Sequence, residues 1–251
     1  MLGRTRRWIG VYLDMCFIRW ANVRNEWYWY VILGPLFPTA LLAFLKLTGA
    51  ATDPASGLYV TAGNCILGII LGPMQGLAND LAWGRQRHDL EYYDSLPVSK
   101  LQLTLAFASV STVFILPGMV YTLALGRWWF GFPLRPSLLV LPVMLAAALS
   151  MVGFGILAGV YARNIHHANM INNLTMLVVM FLSPVLIPYE NLPRILQVTS
   201  KFLPTSYAAD AFRATLAGRS DPAVWTSLGV LAAFGAVTLY LATRRLDWRT
   251  E

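Results

Sequence analysis

Residues 166–190 read HHANMINNLTMLVVMFLSPVLIPYE. From Met170 to Pro188 the run is apolar almost throughout, about twenty residues, the length an α-helix needs to cross hydrocarbon. The chain then breaks at Asn191, Leu192 and Pro193 and resumes in a half-apolar run from Phe202 to Tyr207 that is too short to cross again. A lipid-exposed backbone must satisfy its own hydrogen bonds, so a partial crossing reads as a helical hairpin. The pattern predicts a transmembrane helix followed by a re-entrant hairpin over residues 190–217 on the far side of the bilayer.

The rest of the chain agrees with lipid as solvent. Of 251 residues, 57% are hydrophobic and 12% are charged, and the mean hydropathy is +0.56. Soluble domains carry about 25% charged residues. The charges cluster between apolar runs, where they avoid the cost of about 2.5–3.5 kcal/mol for a charge at a helix centre. The formal charge of +7 therefore reads as a set of topology signals flanking helices. No basic stripe with interleaved aromatics on a polar background argues for nucleic acid. Cys16 and Cys65 are too few for a disulfide framework or a metal site and read as small apolar fillers.

The apolar runs predict an all-α integral membrane fold with six spans, at residues 27–47, 58–81, 101–125, 136–161, 168–189 and 223–243. Residues 1–26 precede them. Between Arg4 and Arg24, Ile9, Tyr12, Leu13, Cys16 and Trp20 share one helical face while Arg4, Arg7 and Asp14 share another, the pattern of a helix lying in the membrane interface. Asp14, Arg19 and Arg24 interrupt any signal-peptide core, so this segment is expected to be retained. Trp27, Tyr28, Trp29 and Tyr30 form an aromatic belt opening the first span, and Arg127, Trp128, Trp129 and Phe130 a second belt. Pro35 and Pro38 fall inside the first span, where membrane helices tolerate them.

Basic residues are held on the cytoplasmic side. With six spans and both termini inside, the inner segments hold Arg4, Arg6, Arg7, Arg19, Arg24, Arg85, Arg87, Lys100, Arg163, Arg244, Arg245 and Arg249. The outer ones hold Lys46, Arg127, Arg135, Arg194, Lys201, Arg213 and Arg219, four of them in the long last loop, where charge counts less. The bias favours cytoplasmic termini in a cell membrane.

Residues 85–100, RQRHDLEYYDSLPVSK, carry both signs of charge, the apolar residues Leu90, Tyr92, Tyr93 and Leu96, and a turn that restarts a helix at Lys100. Such a loop forms a short amphipathic helix fitting a cleft on a soluble partner, or a solvated connection between spans. With Leu90–Glu91 and Leu96-Pro97-Val98-Ser99-Lys100, this loop is similar to the loop after the second span of ABC-2 family permeases, the membrane half of ATP-binding cassette exporters. Arg85, Gln86 and Arg87 stand where that family commonly has an acidic triplet. The family's outer hairpin closes with Leu-Pro, a spacer, then Pro-Leu-Thr-Tyr and a final Arg. Here Leu192–Pro193, Leu203-Pro204-Thr205-Ser206-Tyr207 and Asp210-Ala211-Phe212-Arg213 follow in the same order.

The resemblance implies an export permease working as two permease copies, identical or homologous, with two cassette ATPases, in a prokaryotic inner or plasma membrane. It implies that the N-terminal helix and the 85–100 segment receive the ATPase, through Arg85, Arg87, Leu90, Glu91, Leu96 and Pro97. No Gly-x-x-x-x-Gly-Lys-Ser/Thr loop occurs in the sequence, so ATP and Mg are expected on the partner subunit, with no catalytic residue, metal or cofactor in this chain.

Intramembrane polar groups face an interior or bond a neighbouring helix. Asn64 and Gln75 on the second span, and Asn169, Asn172, Asn173 and Thr175 on the fifth, are the candidates for a substrate path, because the resemblance implies that these two spans flank the dimer axis. Asn79 and Asp80 fall toward the cytoplasmic boundary. His166 and His167 point to different helix faces and read as an interfacial pair. Asp210 and Arg213 are spaced for a local ion pair. A mostly apolar path with a few amides leans to a drug-like, lipid or other amphipathic substrate. The competing readings are a polysaccharide exporter permease, a membrane-embedded lipid-modifying enzyme, and a scaffold that does not transport.

Overall fold

The computed structural model describes residues 2–24, 35–49, 53–87, 96, 98–162, 164–182, 185–186, 189 and 193–245. Among these the only regular structure is helical: α1 (Leu2–Arg24), α2 (Leu36–Leu47), α3 (Pro54–Ile69), α4 (Gln75–Gln86), α5 (Lys100–Phe130), α6 (Val140–Tyr161), α7 (Ile165–Leu182), α8 (Arg194–Ser200), α9 (Pro204–Leu216) and α10 (Pro222–Arg245). Three of them, α5, α6 and α10, are long and apolar enough to cross a membrane.

Local chemistry sets several boundaries. Asp53 caps α3 reciprocally with Ser56, and Pro54 fills the first turn, where its missing N–H costs nothing. Ser99 and Gln102 form the same reciprocal cap at the start of α5, which ends at Gly131 in the left-handed region, φ 67°. α3 and α4 are one continuous rod interrupted by a π turn at Ile70–Met74. Pro73 lies in that turn; a wider turn accommodates a residue with no N–H and a ring that would strike the preceding carbonyl. Residues 58–81, expected as one uniform helix, therefore carry an irregular turn at mid-length.

α6 is the central post. On one side it packs along α10, on another along the α3–α4 rod, and its glycines bring backbones together. A Cβ at Gly155 would meet the carbonyl of Met74, one at Gly159 would lie 2.9 Å from the carbonyl oxygen of Ala78, and one at Gly153 would meet the hydroxyl of Thr238. Close approach of this kind drives helix association in lipid, where apolar surface alone gives no preference. The main core joins Ile66, Ile69, Ile70 and Met74 to Val143, Ala147 and Met151 of α6, and to Phe212 and Leu216 of α9. Thr61, Thr112, Thr122 and Thr238 bond carbonyls of their own helices, so their burial leaves no stranded hydroxyl.

Within the expected spans 136–161 and 168–189, α6 begins at Val140, and Val185 and Leu186, among the described residues, are not helical. The expected belt at 27–30 lies outside the described residues.

Candidate functional site

At one end of the bundle four segments converge: α1, α4, residues 96, 98 and 99, and the start of α5. Gln102 holds the junction with both ends of its amide. Its carbonyl oxygen accepts from the backbone N–H of Ser99 at 2.8 Å and from the Ser99 hydroxyl at 2.9 Å, and its amide N–H donates to the carbonyl of Trp8 on α1 at 2.9 Å. Tyr12 donates to the hydroxyl of Ser109 at 2.8 Å. Burial pushes the Tyr12 phenol above its ordinary pKa, so it stays a neutral donor. Leu96 and Val98 pack with Tyr12, Cys16 and Phe107 on a small core of Met15, Leu103 and Ala106.

Further along, Arg19 pairs with Asp80 of α4, and its guanidinium sits 4.9 Å from the centroid of the Phe107 ring. Trp20 meets Phe114 at 4.8 Å between ring centroids. Contacts from Trp8 to Gln102, Tyr12 to Ser109 and Trp20 to Phe114 advance along both helices together, so α1 runs alongside α5 in the same direction. The apolar face expected on α1 is thereby divided: Tyr12, Cys16 and the partly exposed Trp20 turn to α5, while Ile9 and Leu13 remain exposed, joined by Phe17.

Of the expected ATPase-receiving residues, Leu96 lies in this junction. Arg87 is exposed, 5.2 Å over the ring of Trp83 at the end of α4, and Arg85 belongs to the last turn of α4. Leu90, Glu91 and Pro97 lie outside the described residues.

The expected path residues separate into three settings. Asn172 of α7, 2% exposed, faces the α3–α4 rod. Its amide N–H donates to the side-chain oxygen of Asn79 at 3.1 Å, and its backbone carbonyl accepts from Gln75 at 3.4 Å. Its own side-chain oxygen is buried without a partner. Asn169 and Asn173 lie on the other face of α7, exposed together with Met170, Leu174 and Leu177. Asn64 is fully buried and donates to the carbonyl of Pro38 at 2.8 Å, joining α3 to α2. Thr175 bonds the carbonyl of Ile171 in its own helix. His166 is exposed at the start of α7, and Asn164 caps that start by accepting from the N–H of His167 at 2.8 Å.

At the opposite end of the α3–α4 rod, Arg213 does more than pair locally. It reaches Asp210 at 3.1 Å as expected, but its guanidinium also donates to the carbonyls of Tyr59 and Val185 and lies on the Tyr59 ring. Two of these partners are backbone oxygens, which no residue pattern announces. Arg19–Asp80 and Arg213–Val185 are thus the features that reading along the chain missed. Among the described residues no group of three or more His, Cys, Asp or Glu is arranged to hold a metal, and Cys16 and Cys65 are free thiols.

The family model described as ABC-2 type transporter matches residues 6–217, well over half of the chain. Nodulation protein J of Rhizobium leguminosarum bv. trifolii is 26% identical over 112 residues, 45% of this chain and 43% of the relative; the match thus spans less than half of that relative's length. In this family the membrane permease is powered by an ATPase on a separate subunit. The matched region runs from α1 through the α1–α5 junction, the α4–α7 amides and the Arg213 seat: the chain belongs to the ABC-2 type transporter family and is an integral membrane protein with several apolar helices.

Proposed function

We propose that the chain is the permease of an exporter, forming a path with a second permease copy and driven by a cassette ATPase that binds ATP and Mg and docks on the inner junction. The match over residues 6–217 carries this reading. The arrangement is six spans with both termini in the cytoplasm of a prokaryotic cell, with α8 and α9 as the re-entrant hairpin between the last two spans. Helix length supports it. α5 has 31 residues, or about 46 Å, against about 30 Å of hydrocarbon. With Trp128 and Trp129 at the outer interface, the inner boundary falls near Phe107, and the start of α5 with Leu96, Val98 and Ser99 projects to the ATPase side.

The path runs along α7. Two exposed amides, Asn169 and Asn173, on a helix otherwise exposing Met170, Leu174 and Leu177 are poorly matched to lipid and well matched to a second copy or a wet cavity. Gln75 and Asn172 brace that face from behind. Asn64 and Thr175 serve helix packing. Mixed apolar and amide lining suits a drug-like, lipid or other amphipathic substrate; a polysaccharide is the alternative, since amides also bond hydroxyls.

Docking uses Arg85, Arg87, Leu90, Glu91, Leu96 and Pro97. In vesicles carrying the chain with its co-purified ATPase, changing Glu91→Ala and Leu96→Ala together is expected to leave ATP hydrolysis measurable and abolish transport. Unchanged transport would remove the docking assignment. Asn173→Cys is expected to cross-link two copies while Asn172→Cys does not; the reverse outcome would move the dimer axis off this face.

A further inference from the structure

α1 has three faces, and the protein covers only one of them. With 3.6 residues per turn, Trp8, Tyr12, Met15, Cys16 and Arg19 form the face that packs on α5, α4, Leu96 and Val98. About a third of a turn away, Ile9, Leu13 and Phe17 form an apolar stripe in which Leu13 is 57% and Phe17 72% exposed, with Trp20, packed against Phe114, at its far end. Arg7 and Asp14 occupy the third sector and Arg6 borders the stripe, all exposed. Among the described residues Arg6 and Arg7 make no ion pair.

We propose that α1 is a lipid-seated strap, in which anionic headgroups of the inner leaflet bind Arg6 and Arg7, the stripe lies among acyl chains, and the opposite face holds Leu96 and Val98 at the end of the docking loop. This deepens the proposed function and rests on its inner placement of the junction. Charge complementarity selects the occupant. The apolar stripe alone would sit in any bilayer boundary, but two unpaired guanidiniums beside it favour phosphate-bearing anionic lipid over a zwitterionic surface. Leaflet charge then sets how firmly Leu96 and Val98 are held, because α1 has no separate attachment for the two faces: it is one rigid helix from Leu2 to Arg24.

The test uses the purified chain in lipid nanodiscs and reads amide hydrogen exchange. Discs of phosphatidylcholine are compared with discs containing a third phosphatidylglycerol, without ATPase or nucleotide. Exchange over residues 8–20 is expected to slow in the anionic discs by about five-fold per arginine engaged, with protection extending to Val98 and Gln102. The variant Arg6→Gln with Arg7→Gln is expected to lose that difference, while protection of α6 stays the same and reports an intact fold. Equal exchange in both lipids overturns the proposal, as does a variant that keeps the difference, or anionic protection that stops short of Val98. Glycerol phosphate added to neutral discs is expected to have no effect; slowing there would assign the site to a free phosphate ester instead. Because no ATPase takes part, each negative result removes the strap and leaves the export reading intact.

Discussion

Arg213 lies flat on Tyr59, its guanidinium carbon 3.4 Å from the ring centroid, with the side chain only 11% exposed. Its acidic partner Asp210 is 66% exposed, so the ion pair is screened and contributes at most about 1 kcal/mol. The larger share of its hold comes from the carbonyls of Tyr59 and Val185, which belong to α3 and to the segment after α7. Arg213→Ala leaves two acceptors poorly satisfied and is expected to lower unfolding stability by about 3 kcal/mol. Asp210→Asn is expected to lose less than about 1 kcal/mol. Thermal unfolding in detergent distinguishes them, and equal losses would mean that the ion pair is the main anchor. Arg213→Lys is expected to resemble alanine more than wild type, since an ammonium cannot stack and fork at once.

The same carbonyl of Val185 sits directly on Gly63, where a Cβ would collide with it. Gly63→Ala is therefore expected to push the segment after α7 off α3 and cost about 1–3 kcal/mol. Gly76 on α4 has nothing within 4 Å of its missing Cβ. Gly76→Ala is expected to gain up to about 1 kcal/mol from helix propensity. The two substitutions are chemically identical, so opposite signs in one unfolding assay isolate the packing contribution. A loss at both positions would instead indicate that α4 also needs its glycine for an approach.

How far the sequence can be read follows from which signals are local. Ser99 restarting a helix at Lys100 and the Asp210–Arg213 spacing both lie within a turn or two of chain and hold in the structure. The burial of α1 was only half legible. Periodicity marks Ile9, Tyr12, Leu13, Cys16 and Trp20 as apolar, but it gives no contrast between a protein neighbour and lipid, which are equally apolar. Asn64 and Asn172 were grouped as one class of amide, yet the register of α3 on α2 commits Asn64 to the carbonyl of Pro38. Arg19 finds Asp80 across 61 positions, and Arg213 finds backbone oxygens, which every residue carries. Neither choice leaves a trace in spacing.

The cap of α3 titrates. The Ser56 hydroxyl, then the Ser56 N–H, holds the Asp53 carboxyl below its usual range. A depressed folded value means that the carboxylate stabilises the fold fully above the ordinary carboxylate range. That contribution is lost as pH falls below the range and through the lowered value. The protection factor of the Gly57 amide, which bonds the carbonyl of Asp53 at 3.0 Å, is expected to drop across that acidic window. Asp53→Asn caps without titrating and is expected to give a flat profile, and Asp53→Ala a low one at every pH. An asparagine variant with the wild-type pH dependence would assign the titration to another group.

The inner junction makes an asymmetric prediction. Arg19 is 14% exposed and Asp80 34%, and beyond this pair Arg19 has the Phe107 ring as its neighbour. Removing Asp80 strands the more buried charge, whereas removing Arg19 leaves a carboxylate that water reaches more easily. Asp80→Asn is therefore expected to cost more than Arg19→Gln, about 2–3 kcal/mol against about 1–2 kcal/mol. The double variant is expected to cost less than the sum, because the Arg19–Asp80 attraction can be lost only once. Unfolding of all four proteins in the same discs closes the cycle. A sum without shortfall would show that Arg19 and Asp80 act independently, and that α1 is held in place by the packing of Met15 and Trp20 on α5 instead of by charge.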